Sequence, residues 1–146
     1  MSTLISITYS PDPGSYNRKP LDHATLVAGY GIEKDRKGGH PKRNLNIMDQ
    51  DTLQQLAAEG YPAGAGDLGE NLIIAGLLLN ALAPGSRLQI GDGTVVECVE
   101  LRTGCYKLTA LDPRMPATMD RRLGYMASVI RGGQVRVGDP VVVLPD

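Results

Sequence analysis

The chain has 146 residues, with 15 Lys and Arg against 16 Asp and Glu for a net charge of −1, and it contains neither Phe nor Trp. That length suits one core and a single domain over residues 1–146, with no appended catalytic domain expected, and the near-neutral charge supplies no overall field toward nucleic acid or an anionic membrane. Eighteen Gly and ten Pro call for many turns, favour short strands over long helices, and leave Val, Ile, Leu, Met and Ala to fill the core.

The opening "MSTLISITYSPDPG" has no basic region and too short an apolar segment for a secretory signal. The longest apolar stretch, Leu72 to Ala83, contains Asn80 and is too short for a membrane span. Two cysteines without Cys-x-x-Cys spacing form neither a disulfide scaffold nor a structural zinc site. A reducing cytoplasm is the expected location.

"LISITY" (Leu4 to Tyr9) is enriched in Ile, Thr and Tyr and reads as a strand; "SPDPGSYNRKP" then interrupts regular structure. "NLNIM" (Asn44 to Met48) reads as a short strand leading into a helix. For that helix Asp51, three residues before Gln54, is the expected cap, Leu53, Leu56 and Ala57 share the apolar face, and Gly60 is the stop. It is expected to cover a sheet.

"GSRLQIGDGTVV" (Gly85 to Val96) and "GQVRVGDPVVV" (Gly133 to Val143) share one pattern, in which an alternating strand meets Gly-Asp and β-branched residues follow. Each reads as a hairpin-like unit, with Leu88 and Ile90 corresponding to Val135 and Val137. "TVVECVEL" (Thr94 to Leu101) is a long strand, and "YMASVIRGG" (Tyr125 to Gly133) is another, stopped by paired glycines. About seven short strands and one good helix predict a mainly β fold, a closed or nearly closed β-barrel with one or a few short helices.

Cys105 follows a strand end, directly after Gly104, with Arg102 and Lys107 on either side. A free thiol has a pKa near ~8.5, and nearby cations bring it to about 7 or below, which makes Cys105 a candidate nucleophile or metal ligand. Filling a small apolar gap is the alternative. Cys98, between Glu97 and Val99 in mid-strand, reads as packing.

"GIEKDRKGGHPKR" (Gly31 to Arg43) gathers Lys34, Arg36, Lys37, Lys42 and Arg43 around His40 and two glycines. Converging amides and cations suit a phosphate or carboxylate, although the Gly-Lys-Ser/Thr ending of a nucleotide-binding loop is missing. A solvated basic loop is the other reading. "GDLGENLIIAGLLL" (Gly66 to Leu79) sets Glu70 and Asn71 after a glycine turn, where they brace neighbouring loops or contact a ligand.

"GDLGENLIIAGL", "GSRLQIGDGTVVECVELRTGCYKL" and "GYMASVIRGGQVRVGDPVVVL" together resemble the MOSC domain family, the C-terminal domain of molybdenum cofactor sulfurases that also occurs as small stand-alone bacterial proteins. The resemblance runs from about Leu4 to Leu144. It implies a barrel-like β fold in which Cys105 carries sulfur as a persulfide or ligates the molybdenum of a pterin cofactor. Members that hold the cofactor reduce N-hydroxylated substrates, so the resemblance leans toward an enzyme. It also implies that Asp35, Arg36, Lys37, His40, Arg43, Glu70, Asn71 and Arg102 contribute to cofactor binding. Where the family often reads Gly-Asp-Arg-His, this chain has Lys34, Asp35, Arg36 and Lys37, so lysines stand at the glycine and histidine positions.

Pyridoxal phosphate would enter only through a partner cysteine desulfurase that loads Cys105. The competing expectation is a non-catalytic barrel that holds a phosphorylated or carboxylated metabolite on the Lys34 to Arg43 loop. A nucleic-acid module ranks last, because base stacking favours aromatic platforms and the chain offers only Tyr.

Overall fold

The structure is a computed structural model that describes residues 2–11, 18–36, 38–40, 42–61, 63–102 and 123–145. In chain order its strands are β1 (Ser2–Tyr9), β2 (Lys19–Leu21), β3 (His23–Val27), β4 (Gly31–Ile32), β5 (Leu45–Asp49), β6 (Leu72–Ala75), β7 (Arg87–Ile90), β8 (Thr94–Leu101), β9 (Tyr125–Arg131), β10 (Gly133–Arg136) and β11 (Pro140–Val143). The helix α1 (Gln50–Ala58) lies between β5 and β6, and a 3-10 turn spans Leu79–Ala81.

Strands β11, β7, β8, β9, β5, β6 and β1 neighbour one another in that order, and β11 also pairs with β1, so the sheet closes on itself as a seven-stranded barrel. Closure removes the exposed edges that an open sheet would present. β2 continues from β1, while β10, β3 and β4 form a separate three-stranded sheet. The barrel core is aliphatic, as the composition requires: Leu4, Ile7, Ile47, Leu72, Ile74, Leu88, Val96 and Val129 meet inside it. Tyr125, fully buried among them, keeps its hydroxyl satisfied by donating to the Leu82 carbonyl.

The one parallel pair of the barrel is β5 with β6, and a parallel pair needs a crossover. The helix α1 supplies it. Leu53 and Leu56 pack with Met48, Ile73, Leu68, Tyr61 and Leu123 in a second apolar cluster outside the barrel. The helix ends with Gly60 in the left-handed region; the Tyr61 amide donates to the Leu56 carbonyl and that of Gly60 to Ala57.

The cap at the other end departs from expectation. Asp49, not Asp51, holds the N-terminus, accepting from the Thr52 amide at 2.9 Å. The last strand residue thus doubles as the cap, and Asp51 lies exposed in the first turn.

The second Gly-Asp segment also differs. Gly85 to Val96 forms the expected β7–β8 hairpin, whereas β10 pairs with β3 and β11 pairs with β7 and β1. The Gly138-Asp139 turn therefore carries the chain from one sheet to the other. For this reason Val135 is buried while Val137 is 44% exposed. The paired glycines do stop β9, which ends at Arg131, and a new strand, β10, starts at Gly133. Strands β2, β3 and β4 had no period-2 signal strong enough to be read.

Two register shifts along β8–β9, at Val95/Val96 and at Cys98/Glu100, bend this longest pairing. The second leaves Val99 as the extra residue. After Val96 and Cys98 strict alternation would turn Glu100 inward; the bulge reverses the phase, so that Leu101 packs on the core and Glu100 is exposed. Arg102 then leaves the barrel at a wall that the bulge has re-aimed.

Replacing Asp49 with Ala is expected to cost about 1 kcal/mol of stability through the lost cap, while Asp51→Ala changes it far less. Urea denaturation of the two variants compares the positions directly; equal losses would contradict the assignment of the cap.

Candidate functional site

Where β1 and β8 end and β6 and β9 begin, polar side chains collect in an otherwise aliphatic protein. Asp35, Glu70 and Asn71 are 1%, 0% and 3% exposed, and Thr8 and Ser10 are buried beside them. Buried polar groups persist only when paired, and here most of the pairing is to backbone. Asp35 accepts from the Ser10 amide through Oδ1 at 3.0 Å and from Asn71 Nδ2 through Oδ2 at 3.1 Å.

Asn71 bonds on both of its sides. Its Oδ1 accepts from the Asn46 amide at 2.9 Å, and its Nδ2 also donates to the Thr8 carbonyl at 3.2 Å. Its backbone continues both ladders, donating to Asn46 and accepting from Thr8. One amide side chain thereby ties together β1, the start of β5, the start of β6 and the loop that carries Asp35.

Glu70 folds back on its own turn. Oε2 accepts from the Gly66 amide at 2.5 Å and Oε1 from the Leu68 amide at 3.2 Å, while Thr8 donates its hydroxyl to the Glu70 carbonyl. Burial pushes the carboxyl above the usual glutamate range, against the opposing effect of the amides and of the Arg102 charge.

Arg102 reaches over this turn and donates from Nη2 to the Leu68 carbonyl at 2.9 Å. Arg18 arrives from the other side. Its stem packs on Gly66, where an added Cβ would lie 3.3 Å from Arg18 Cβ and 3.4 Å from Cδ. Burial pulls its guanidinium below the ordinary value, with the charges of Asp35 and Glu70 acting in the opposite sense. Its Nη1 is buried without a hydrogen-bond partner, as is the hydroxyl of Ser10. Arg18 gave no sequence signal: in "NRKP" it resembles an ordinary surface cation, and it is Gly66 that makes room for its stem.

A shallow cleft of about 370 Å³ opens beside Asp35, lined by Tyr9, Pro11, Tyr30, Lys34 and Arg36. The basic loop curls round Tyr30, whose hydroxyl donates to the Asp35 carbonyl at 2.7 Å and whose own carbonyl accepts from Gly39. Gly38 is required there, since a Cβ would come within 2.6 Å of the Tyr30 carbonyl oxygen. Arg36 is tied to the same rim, its amide donating to Ser10 and its Nε to Pro11 at 3.2 Å. Lys34 sits at φ 70°, a conformation that glycine adopts without strain. This is the position at which the resemblance expects glycine.

His40 and Arg43 form a different group. His40 Nδ1 accepts from the amides of Lys42 and Arg43, both at 3.1 Å. Arg43 makes an ion pair with Glu100 at 2.6 Å, half-exposed and therefore worth at most about 1 kcal/mol. The sequence candidates thus divide: Asp35, Glu70, Asn71 and Arg102 share the buried cluster, Arg36 lies on the rim, and His40 sits against Arg43, which pairs with Glu100. Lys37, Cys105 and Lys107 lie outside the described residues. Cys98 is fully buried in the core, and burial, aided by Glu97, pushes its thiol up to about 12, which makes it inert as a nucleophile.

Fold and cluster together define a small closed β-barrel with paired arginines at its mouth. The family model of the MOSC domain matches residues 34–142, and the chain belongs to that family, which is related to the molybdenum cofactor. Among solved structures it is similar to YuaD from Bacillus subtilis, with a TM-score of 0.83 and 20% identity over 97% of this chain and 94% of that one. YiiM from Geobacillus stearothermophilus (TM-score 0.79, 19% identity, 99% and 76% covered) and YiiM from Escherichia coli (0.73, 22%, 99% and 70%) share the fold as well. No curated protein matches the sequence.

The donor set fits the anionic groups of such a cofactor. Arg18 Nη1 is buried and lacks an acceptor, and Gly69 leaves open a space that a Cβ would fill. Among the described residues no cluster of three or more His, Cys, Asp or Glu side chains is arranged to hold a metal ion, and no helix is long and apolar enough to cross a membrane.

Two outcomes follow from this geometry. The folded chain holds the Glu70 proton more tightly than the unfolded chain, so folding takes up a proton between the ordinary glutamate pKa of about 4.3 and the higher folded value. Stability therefore falls as pH rises through that window. Glu70→Gln should remove this component, seen as a flatter pH profile of the denaturation midpoint than in wild type. Lys34→Gly relieves a left-handed side-chain residue at some cost in chain entropy, and a net gain of roughly 0.5–1 kcal/mol is expected. Thermal denaturation reads it, and a destabilised variant would show that the lysine side chain makes compensating contacts.

Proposed function

We propose that this chain binds the molybdenum cofactor, carries sulfur, or does both, with Cys105 as the molybdenum ligand or persulfide carrier. The observation that carries the reading is the place of Arg102. It is held against the Leu68 carbonyl beside Arg18, whose Nη1 is buried, and in the sequence it precedes Cys105 by three residues. Cations near a thiol favour its thiolate, the form that attacks sulfur and binds metal.

Arg18 and Arg102 would hold negative charge of the ligand, Asp35, Glu70 and Asn71 would fix the loops around it, Lys34 and Arg36 would receive an anionic group at the rim, and Lys37 is a further cation of the same sequence stretch. His40 and Arg43 contribute through their loop. When bound, the cofactor would supply two-electron redox chemistry suited to N-hydroxylated compounds. In the sulfur-carrying mode the Cys105 thiolate attacks the outer sulfur of a persulfide on a cysteine desulfurase, and the desulfurase cysteine leaves as a thiolate. The pyridoxal phosphate stays with that partner. A cytoplasmic location suits both modes.

A second reading is supported by the cleft of Tyr9, Pro11, Tyr30, Lys34 and Arg36: a non-catalytic barrel that holds an anionic metabolite on the basic loop. The two part at the thiol. Protein purified from a cofactor-producing host should contain molybdenum and pterin, or else gain one sulfur atom in intact mass after incubation with a cysteine desulfurase and cysteine. Either signal should vanish in Cys105→Ser. Absence of both in wild type would overturn the first reading and leave the second.

A further inference from the structure

We infer that His40 is a proton-controlled latch on the closing half of the basic loop: the ring holds the backbone at Lys42 and Arg43, and a proton on Nδ1 releases it. Both amides donate to that one nitrogen, each at 3.1 Å. Nδ1 is bonded to Cγ, as is the carboxylate oxygen with which Asp49 accepts from the Thr52 amide three residues on. The imidazole therefore does at residue 40 what a short polar side chain does in a cap or turn. It differs in one respect. A ring nitrogen accepts only through its lone pair, and histidine is the side chain whose ordinary titration falls between about pH 5 and 8. In the imidazolium both nitrogens are donors, so one proton removes both bonds together.

Among the described residues the charged groups around the ring are Lys42 and Arg43 on its own loop and, through Arg43, Glu100 on β8. Nε2 lies 3.5 Å from Arg43 Nη2, while Arg43 Nη1 pairs with Glu100 at 2.6 Å. A charged ring would thus stand beside Arg43 and compete with it for a single carboxylate. The neighbouring anchors hold no group that titrates in this range. The Gly39 amide donates to the Tyr30 carbonyl, the Asn44 amide to the Ala127 carbonyl, and Asn44 Nδ2 to the His40 carbonyl. Arg36 stays tied to Ser10 and Pro11. Release is therefore confined to Lys42 and Arg43, and the cations of the loop divide into a part fixed at every pH and a part that the proton frees.

The latch regulates the loop of the proposed site and rests on that reading only for what the loop receives, so it can be tested on the purified chain alone. The readout is the backbone amide order parameter from nitrogen-15 relaxation, measured at about pH 8 and about pH 5, on either side of the ordinary imidazole titration. Wild type is compared with His40→Asn, which offers an acceptor on Cγ that does not titrate, and with His40→Ala, which offers none. The Gly39 amide, bonded to the Tyr30 carbonyl, is the internal control.

In wild type the Lys42 and Arg43 amides should be ordered at the higher pH, near ~0.85, and fall below about 0.6 at the lower, while Gly39 stays constant. His40→Asn should keep both ordered at either pH, and His40→Ala should leave both loose at either pH. Equal order in wild type at the two pH values overturns the latch, as does a His40→Asn variant that loosens on acidification as wild type does. Loss of order at Gly39 together with Lys42 and Arg43 overturns it too, since the whole loop would then be responding. Should His40→Ala fail to fold, judged by circular dichroism, wild type and His40→Asn decide on the same criteria. A latch that follows pH in a protein that purifies without molybdenum or pterin and gains no sulfur stands while the proposed function falls. Cofactor in wild type, with Lys42 and Arg43 equally ordered at both pH values, does the reverse.

Discussion

The architecture of the barrel mouth depends on the burial of Asn71. Its side chain satisfies an amide of β5, a carbonyl of β1 and a carboxylate oxygen of the basic loop at once. An apolar residue of similar size would leave the Asn46 amide and the Thr8 carbonyl short of a partner beside the buried Asn71, and each such loss carries a desolvation penalty. Because these groups belong to three separate segments, the side chain sets where β1, β5 and the basic loop stand relative to one another. Glu70 acts more locally, closing the Gly66 to Asn71 turn on itself.

That turn is the floor on which the two arginines rest. Gly66 receives the stem of Arg18, and Gly69 leaves the gap between the guanidinium groups. Positive charge is thereby held at the exit of β8, three residues before Cys105 in the sequence. The frame of this mouth is made largely of hydrogen bonds to backbone. Barrel closure through β1 and β11 supplies the rest of the rigidity, since no strand of the ring is left with an open edge.

Lys34 shows how a local preference can be overridden. It occupies a left-handed conformation one residue before the buried Asp35, whose side chain is fixed from two directions. Since Asp35 must reach both the Ser10 amide and Asn71, the backbone ahead of it has little freedom, and residue 34 takes up the strain. Its cation is placed on the rim of the cleft with Arg36 as a result.

By itself the sequence determined the secondary structure that has strong period: β1, β5, β8, β9, the β7–β8 hairpin and α1 were legible because β-branched runs, alternation and a glycine stop are local signals. It also singled out Glu70 and Asn71 from their place between a glycine turn and an apolar run, Arg102 as a cation beside Cys105, and Asp35 through the family resemblance, and it separated Cys98 as packing. Only the tertiary structure decided that Gly138-Asp139 joins two sheets, that Asp49 caps the helix, and that the bulge at Val99 turns Glu100 out. Those outcomes depend on which strand lies alongside, and a chain pattern holds no information about its neighbours. Arg18 is the clearest case: its burial arises from glycines some fifty residues away, and nothing within its own stretch distinguishes it from a solvated cation.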